Sequence, residues 1–148
     1  MLLVFLAQWI ACSSHSGAPA GAILAGNDID GTEIFVGRAL YQDEQIPAKV
    51  IPSKNIGYVP WGGLEIPVHE FEVLCNGNVE WVQSSNGMVL PNALAGGVSS
   101  SGETLYIGRG WWQGALTPGK IQPSHGSLYI PFGGMEVAIK EYEILIEN

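Results

Sequence analysis

The sequence predicts an all-β protein made of two pseudo-twofold-related, mostly antiparallel β units of about 70 residues that share one compact body. The first observation behind this prediction is an internal repeat: a shift of 71 positions places residues 26–76 on 97–147 without a gap. The second is the spacing of 20 glycines and 9 prolines. Between these turn-forming residues lie short runs rich in β-branched and aromatic side chains, which are typical of strands.

The repeat extends towards the N-terminus, so that each unit begins with a tryptophan. Trp9 starts a first unit over residues 9–76, and Trp81 starts a second over 81–148. A unit of this size would be marginally stable alone, because a short chain buries a small share of its surface. Two units are also fewer than an open solenoid needs. We therefore expect a closed pair of units joined by the short bridge 76–80.

Each strand predicted from these runs occurs once in each unit. In chain order, the matched runs are 34–36 with 105–107, 47–50 with 118–121, 58–61 with 129–132, and 70–75 with 141–146. The last stretch, 135–148, lacks glycine and proline and is compatible with a helix by itself. Its counterpart, 64–76, carries Pro67 in mid-run, and a helix interior does not accept proline there. The repeat therefore predicts strands in both stretches.

The charge balance excludes several classes of partner. The net charge is −8, and the six basic residues are scattered along the chain. Nucleic-acid surfaces and contacts with anionic membranes need clustered lysine and arginine, so neither is expected. No stretch reaches the ~18–20 apolar residues of a membrane-spanning helix, so no membrane span is predicted.

The start of the chain and the cysteines bear on the compartment. Residues 1–12 are apolar like the hydrophobic part of a signal peptide, but no basic residue precedes them, and the repeat makes Trp9 structural. Cys12 and Cys75 occupy non-equivalent positions of the repeat, which favours reduced thiols over a disulfide framework. We therefore predict a cytoplasmic protein; the alternative is a secreted protein, if residues 1–12 act as a signal segment.

The repeated motifs resemble those of the DM9 repeat family along nearly the whole chain. In the first unit these motifs are Gly-x-Asp-x-Asp-Gly at 26–31, Ile-Phe-Val-Gly-Arg-Ala at 34–39, Pro-Ala-Lys-Val at 47–50, Tyr-Val-Pro-Trp-Gly-Gly-x-Glu at 58–65 and Glu-Phe-Glu-Val-Leu-Cys at 70–75. In the second unit they are Tyr-Ile-Gly-Arg at 106–109, Pro-Gly-Lys-Ile at 118–121 and Tyr-Ile-Pro-Phe-Gly-Gly-x-Glu at 129–136.

The resemblance implies a fold and a function. It implies a β-rich pair of pseudo-symmetric domains and, from the family's best-understood type, a bivalve lectin, calcium-independent mannose binding by a homodimer. The expected function is therefore recognition of mannose-type glycans, in innate immunity. The alternative is a cytoplasmic stress- or immune-responsive interaction protein with no functional sugar site, as insect relatives suggest.

The resemblance also places the sugar-binding residues. It puts mannose recognition on the acid two residues after the first glycine and on the lysine of the Pro-x-Lys motif, which are Asp28 and Lys49 in the first unit. In the second unit, Lys120 keeps the lysine, but Ser99 replaces the acid, which implies weaker binding. A carboxylate accepts hydrogen bonds from sugar hydroxyls, and an ammonium group donates to them. The alternatives are a turn residue at Asp28 and a solvated charge at Lys49.

Neither a catalytic set nor a metal site is predicted. An EF-hand loop placed on Asp28–Gly31 would put Gly26 and Gly37 where its first and last acidic ligands belong. Glu65 and Glu136 are equivalent in the repeat, whereas the two carboxylates of a glycosidase need different environments. We therefore expect these glutamates to support a turn or the binding site, in a protein that is not an enzyme and has no cofactor.

Two further pairs of side chains have predicted roles. Arg38 and Arg109 follow apolar strands, so we expect each to pair with a buried acid or carbonyl group. Trp111 and Trp112 are consecutive, and consecutive strand residues face opposite sides of a sheet. At least one of these tryptophans is therefore expected to be exposed, at a dimer interface or at the rim of a ligand site.

Overall fold

The computed structural model describes residues 5–148, which form strands joined by short turns and two 3-10 helices, Pro52–Lys54 and Pro123–His125. The strands of the first unit are β1 (Gln8–Ser13), β2 (Leu24–Asn27), β3 (Glu33–Tyr41), β4 (Glu44–Ile51), β5 (Ile56–Trp61), β6 (Leu64–Val68) and β7 (Glu70–Cys75). Those of the second are β8 (Val79–Ser85), β9 (Ala95–Val98), β10 (Thr104–Trp112), β11 (Ala115–Gln122), β12 (Ser127–Phe132), β13 (Met135–Ile139) and β14 (Glu141–Glu147). The all-β prediction is confirmed.

The strands form one sheet, and from either end of it the equivalent strands of the two units follow one another in the same order. Neighbours follow the path β1-β7-β3-β4-β5-β6-β13-β12-β11-β10-β14-β8, while β2 pairs with β3, and β9 pairs with both β10 and β4. Each strand of the first unit on this path thus has its repeat equivalent at the same distance from the opposite end. A near-twofold rotation between the units, and the division at residues 9–76 and 81–148, stay predictions.

The ambiguous C-terminal stretch is strand, as the repeat predicted. Residues Met135–Ile139 and Glu141–Glu147 are β13 and β14, and they match β6 and β7 of the first unit. Buried and more exposed side chains alternate at the start of β14, as in a strand with one face in the core. Tyr142 and Ile144 are buried, whereas Glu141 is exposed.

A shared core connects the units. The middle of three buried clusters takes residues from both, namely Ala25, Val36, Leu74, Ile107 and Leu145. Trp9 and Trp81, the residues that begin the two units, pack against this same cluster. A fully buried aliphatic side chain stabilises a fold by about 1.5–3 kcal/mol, so each unit depends on apolar residues of the other.

Close backbone contacts also join the units. A Cβ atom at Gly26 would clash with the carbonyl oxygen of Leu116, and one at Gly97 would clash with that of Gln45. These glycines are repeat equivalents, and only a residue without a side chain allows β2 and β9 to cross the opposite unit so closely. The glycine that opens the first repeated motif is therefore explained by packing between units.

The N-terminal region enters the sheet before residue 12. Strand β1 pairs with β7, and Trp9 lies under the Arg38 guanidinium with 4.3 Å between the Cζ atom and the ring centroid. The signal-peptide alternative concerns residues 1–12, of which the first four lie outside the described residues. Cys12 and Cys75 are free thiols, as predicted. Within residues 5–148 no helix is long and apolar enough to cross a membrane.

Candidate functional site

Two lysines form ion pairs in the interior. Lys49 Nζ lies 2.6 Å from Glu65 Oε2, and Lys120 Nζ lies 3.1 Å from Glu136 Oε2. Both lysine side chains are almost wholly buried, at 6% and 7% exposure. Each glutamate follows a Gly-Gly turn, and each lysine sits on the central strand pair of its unit. The fixed role expected from the repetition of these lysines is therefore present, and it joins them to the repeated glutamates.

Each lysine is oriented by an aromatic neighbour. Lys49 is paired with Tyr58 across β4 and β5, and Lys120 with Tyr129 across β11 and β12. The ammonium nitrogens lie 5.2 Å and 5.6 Å from the centroids of these rings. The stem of each lysine is buried beside the ring while its charge is held near the electron-rich face, a favourable cation–π arrangement.

The glutamates connect the two units through their turns. Glu65 Oε1 accepts a hydrogen bond from the Gly134 amide at 3.0 Å, and Glu136 Oε1 accepts one from the Gly63 amide at 3.1 Å. The backbone amides of the two glutamates in turn donate to the carbonyl groups of the same two glycines, both at 3.0 Å. The β5–β6 and β12–β13 hairpins are thereby bound to each other, and a lysine of each unit lies beside this contact.

The second carboxylate oxygens are less well satisfied. Glu65 Oε2 and Glu136 Oε2 are buried at ion-pair distance from a lysine, but neither has hydrogen-bond geometry with any partner in residues 5–148. Buried polar atoms nearly always have a hydrogen-bond partner. The lysines differ: Lys49 Nζ also donates to the Pro131 carbonyl at 2.8 Å, whereas the polar contact of Lys120 Nζ within the described residues is the ion pair.

A cleft of about 310 Å³ opens at Lys120, and we call it the Lys120 cleft. Its lining combines both units and consists of Lys120, Gln122, His125, Tyr129 and Glu136 from the second unit and Glu44, Trp61 and Gly62 from the first. On one wall, Trp61 Nε1 donates to Glu44 Oε2 at 3.2 Å, which fixes the indole. The cleft thus brings together donors, acceptors and aromatic faces.

Tyr129 and His125 contribute further polar groups to this cleft. The Tyr129 hydroxyl and His125 Nδ1 are 3.0 Å apart, in hydrogen-bond contact. Burial raises the pKa of the Tyr129 phenol above its usual value, and the nearby Glu136 carboxylate raises it further. The phenol therefore stays protonated at neutral pH and can both donate and accept a hydrogen bond.

The positions around Lys49 that are equivalent to the lining of the Lys120 cleft are less polar. The shift of 71 positions matches Trp61, Glu44 and Gln122 with Phe132, Ala115 and Ile51. Glu44 and Gln122 were not predicted from the sequence as binding residues, although each differs visibly from its equivalent in the other copy. Comparison of the two copies, together with the contact between hairpins, would have identified them.

The other residues proposed from the sequence lie in turns. Asp28 is half-buried in the β2–β3 turn, where its Oδ1 accepts a hydrogen bond from the Ile29 amide at 2.9 Å. Ser99, the equivalent residue, is buried, and its Oγ accepts from the Glu103 amide at 3.1 Å. Among the described residues, Asp28 and Lys49 share no hydrogen bond or ion pair, so a joint sugar site for them stays a prediction.

Asp30, the second acid of the same turn, has hydrogen-bond partners for both of its carboxylate oxygens. Asp30 Oδ1 accepts a hydrogen bond from the Thr32 amide at 2.9 Å, and Oδ2 pairs with Lys54 at 3.1 Å. The bonds from Thr32, with a further one from Lys54, lower the pKa of Asp30 to about 2. This carboxylate therefore belongs to the turn chemistry that was the alternative interpretation of the motif.

The arginines pair as predicted, although with half-exposed rather than buried acids. Arg38 Nε donates to Glu72 at 2.8 Å, and Arg109 Nε donates to Glu143 at 2.9 Å. Arg109 Nη1 also donates to the Ala25 carbonyl at 2.9 Å, so this arginine contacts the other unit as well.

Comparison with known proteins identifies the family of the chain. The family model described as "DM9 repeat" matches residues 28–139, which is most of the chain. The chain belongs to the DM9 repeat family. This family is known for carbohydrate-binding, lectin-like proteins and is not a family of enzymes.

Similar proteins of known sequence or structure come from Thalassophryne nattereri and from a nematode. Natterin-1 and Natterin-4 of Thalassophryne nattereri are each 26% identical to this DM9 protein over 95% of its length. The chain spans 38% and 34% of these relatives, about a third of their length. The crystal structure of the nematode sperm cell motility protein MFP2B has a TM-score of 0.71 at 11% identity, over all of this chain and 48% of that one. At that identity the likeness concerns the fold alone.

Proposed function

We propose that this DM9 protein is a lectin that binds mannose-type glycans in the Lys120 cleft. One observation carries the proposal: at the wall of this cleft, the nearly buried Lys120 ammonium lies 3.1 Å from Glu136 Oε2, and within residues 5–148 neither atom makes a hydrogen bond of good geometry with a further group. Two adjacent sugar hydroxyls supply the acceptor and the donor that these groups need. Membership in a family known for carbohydrate binding supports the same class of ligand.

The aromatic side chains of the cleft suit a sugar as well. The Trp61 indole offers a face for the CH groups of a pyranose ring, and Glu44 and Gln122 offer further polar contacts beside it. Charged hydrogen bonds contribute roughly 1.5–3 kcal/mol each. For a small open site that also orders its ligand, we expect monosaccharide affinity near the millimolar level, about −4 kcal/mol.

Binding is expected to be independent of calcium. Residues 5–148 contain no group of three or more histidine, cysteine, aspartate or glutamate side chains placed to hold a metal ion. Binding to immobilised mannose should therefore be unchanged by EDTA. A glycan array tests the ligand class separately and should identify mannose-type ligands. Loss of binding on chelation, with recovery on adding calcium, would contradict the proposal.

Two conservative variants test the cleft directly. Trp61→Phe and Gln122→Ile each install the residue that the other unit carries at the equivalent position, so the fold should tolerate them. Each should weaken mannose binding about tenfold: Gln122→Ile removes a polar contact worth roughly 1.5 kcal/mol, and Trp61→Phe reduces the aromatic face and releases Glu44 from the indole N–H that fixes it. Phe132→Trp, the reciprocal change at the equivalent position of the second unit, serves as the control and should not weaken binding. Unchanged affinity in both cleft variants would argue against this site.

A homodimer is part of the same proposal. Weak sites give useful avidity only when several are present in one particle, and two chains double their number. From the sequence, at least one of Trp111 and Trp112 is expected at a dimer interface or at the rim of a ligand site, and we place the dimer contact at Trp112, which is 37% exposed and faces the other side of β10 from Trp111. One chain has a mass of 15.8 kDa. Light scattering at high protein concentration should give twice this mass. A strictly monomeric mass would contradict the dimer and leave the cleft untouched.

For the biological setting we propose a cytoplasmic protein that recognises foreign mannose-type glycans in innate immunity. The two free thiols support a reducing compartment. A secreted protein remains the alternative for the compartment. If the glycan array shows no ligand, the second function is that of an interaction protein whose sugar site has been lost.

A further inference from the structure

A second polar groove lies beside β10, the strand next to that of Lys120, and we call it the Trp111 groove. It has a volume of about 440 Å³ and lies beside β10 and β14, where Arg109 pairs with Glu143. Its lining includes Gln83, Arg109, Trp111, Glu141, Tyr142 and Glu143. None of its lining residues belongs to the Lys120 cleft. The groove therefore represents a separate place on the molecule.

The first unit contains the equivalent groove with different chemistry. That groove measures about 330 Å³ and keeps the arginine–glutamate pair, as Arg38 with Glu72. Each arginine also lies over a tryptophan, at 4.3 Å in the first unit and 4.4 Å in the second. What both units keep is thus the structural frame of the groove: an arginine fixed between a carboxylate and an indole ring.

The linings of the two grooves differ at several positions, among them Gln45 against Leu116 and Phe71 against Tyr142, and two further differences matter most for a ligand. Where the first unit has Leu40, the second has Trp111, whose side chain is 68% exposed. Where the first has Ala11, opposite Glu72 in the strand register, the second has Gln83, opposite Glu143. The second groove therefore gains an exposed indole, and its amide lies on β8 instead of at the position of Gln45 in the first groove.

We propose that the Trp111 groove is a carbohydrate site that takes neutral oligosaccharides. The indole face of Trp111 provides a platform for the CH face of a pyranose ring. Along the groove, Gln83 and Arg109 supply donors, and Gln83, Glu141 and Glu143 supply acceptors. Sugar hydroxyls are both donors and acceptors, so such a mixed lining matches a polyol.

The charges of the groove select against anionic ligands. Glu141 and Glu143 would repel an acidic sugar or a phosphate group. Arg109 is fixed and neutralised by its ion pair with Glu143 and also donates to the Ala25 carbonyl, so it holds no free charge for an anion, and the cationic probe below tests the remaining attraction of Glu141 for a basic ligand. A neutral saccharide avoids the repulsion by the glutamates. The volume lies in the lower part of the range for ligand clefts, about 300–1,000 Å³, which suits a short oligosaccharide segment.

The indole NMR signals of the full chain test this inference separately from the Lys120 cleft. The five tryptophans give five indole N–H resonances, which single Trp→Phe variants assign. The probes are mannotetraose, maltotetraose, cellotetraose and chitotetraose, with tetragalacturonate as the anionic probe and tetralysine as the cationic one. At least one neutral probe should shift the Trp111 resonance in a saturable way. A shift at Trp61 without one at Trp111 would support the cleft and contradict the groove.

Variants that install the residues of the first unit complete the test. Trp111→Leu should raise the dissociation constant of the active probe at least tenfold, and Gln83→Ala should raise it several-fold, both followed at the Gly110 backbone amide. Leu40→Ala, in the equivalent groove, is the control and should leave that dissociation constant unchanged. Unaltered affinity in Trp111→Leu overturns the proposal. So does a Trp111 signal that responds only to a charged probe or to protein concentration, the latter identifying a dimer contact.

Discussion

Replacing Glu65 by alanine is expected to lower the free energy of unfolding by about 3–5 kcal/mol, the usual cost of breaking a buried ion pair. The change leaves the Lys49 ammonium, whose side chain is 6% exposed, without its carboxylate 2.6 Å away. It also removes the acceptor of the Gly134 amide in the other unit. Urea unfolding at pH 7, followed by tryptophan fluorescence, measures the effect, and Glu136→Ala should behave alike.

The matched control removes both charges together. In the double variant Lys49→Met with Glu65→Leu, no unpaired charge is buried, so stability should remain within about 1 kcal/mol of the parent, as replacement of a whole buried ion pair usually does. The sequence alone assigned Lys49 to a ligand site, where its loss would leave stability unchanged. Equal stability of Glu65→Ala and the parent would show that water reaches this pair and that its burial is not maintained in solution.

The largest expected effect on binding comes from the same design in the second unit. Lys120→Met with Glu136→Leu removes one charged donor and one charged acceptor from the Lys120 cleft. Two charged hydrogen bonds of roughly 1.5–3 kcal/mol each correspond to a loss of at least about 100-fold in affinity. Binding to immobilised mannose should therefore become undetectable, while the melting temperature stays close to that of the parent.

The two double variants together decide between the units. If the Lys120 cleft is the site, the change at Lys49 and Glu65 should leave most of the binding in place. The reverse result would favour the joint site of Asp28 and Lys49 that the family resemblance implies. In that case Asp28→Ala should also lose binding at an unchanged melting temperature, whereas a turn role would lower that temperature and spare binding.

The fold could be predicted largely because the repeat supplied each segment with a second example. Pro67 excluded a helix for the segment at 135–148, which by itself had no proline. Alternation of polar and apolar residues then placed Tyr142 and Ile144 inside. Such local signals define strands well, because the two faces of a strand differ at every residue.

The site was less predictable, because its geometry depends on contacts between distant residues. Glu65 meets the Gly134 amide 69 positions away, and Trp61 reaches the Lys120 cleft only because the two hairpins bind each other. No local sequence pattern predicts contacts between residues so far apart in the chain. The burial of two lysines was equally hidden, since a lysine on a strand is usually solvated and only the partner carboxylate makes the interior tolerable.

The reciprocal hydrogen bonds between the glutamates and the Gly-Gly turns have a consequence for the ancestry of the chain. Glu65 contacts Gly134 as Glu136 contacts Gly63, and this is the pattern of an isologous interface, in which the same patch serves both partners. Two identical copies of one unit could make these contacts as separate chains. The bridge at 76–80 turns that association into an intramolecular one, with an effective concentration near the millimolar range for a short linker. Once tethered, the copies no longer had to be identical, and each was free to acquire its own surface, as Trp111 and Leu40 illustrate.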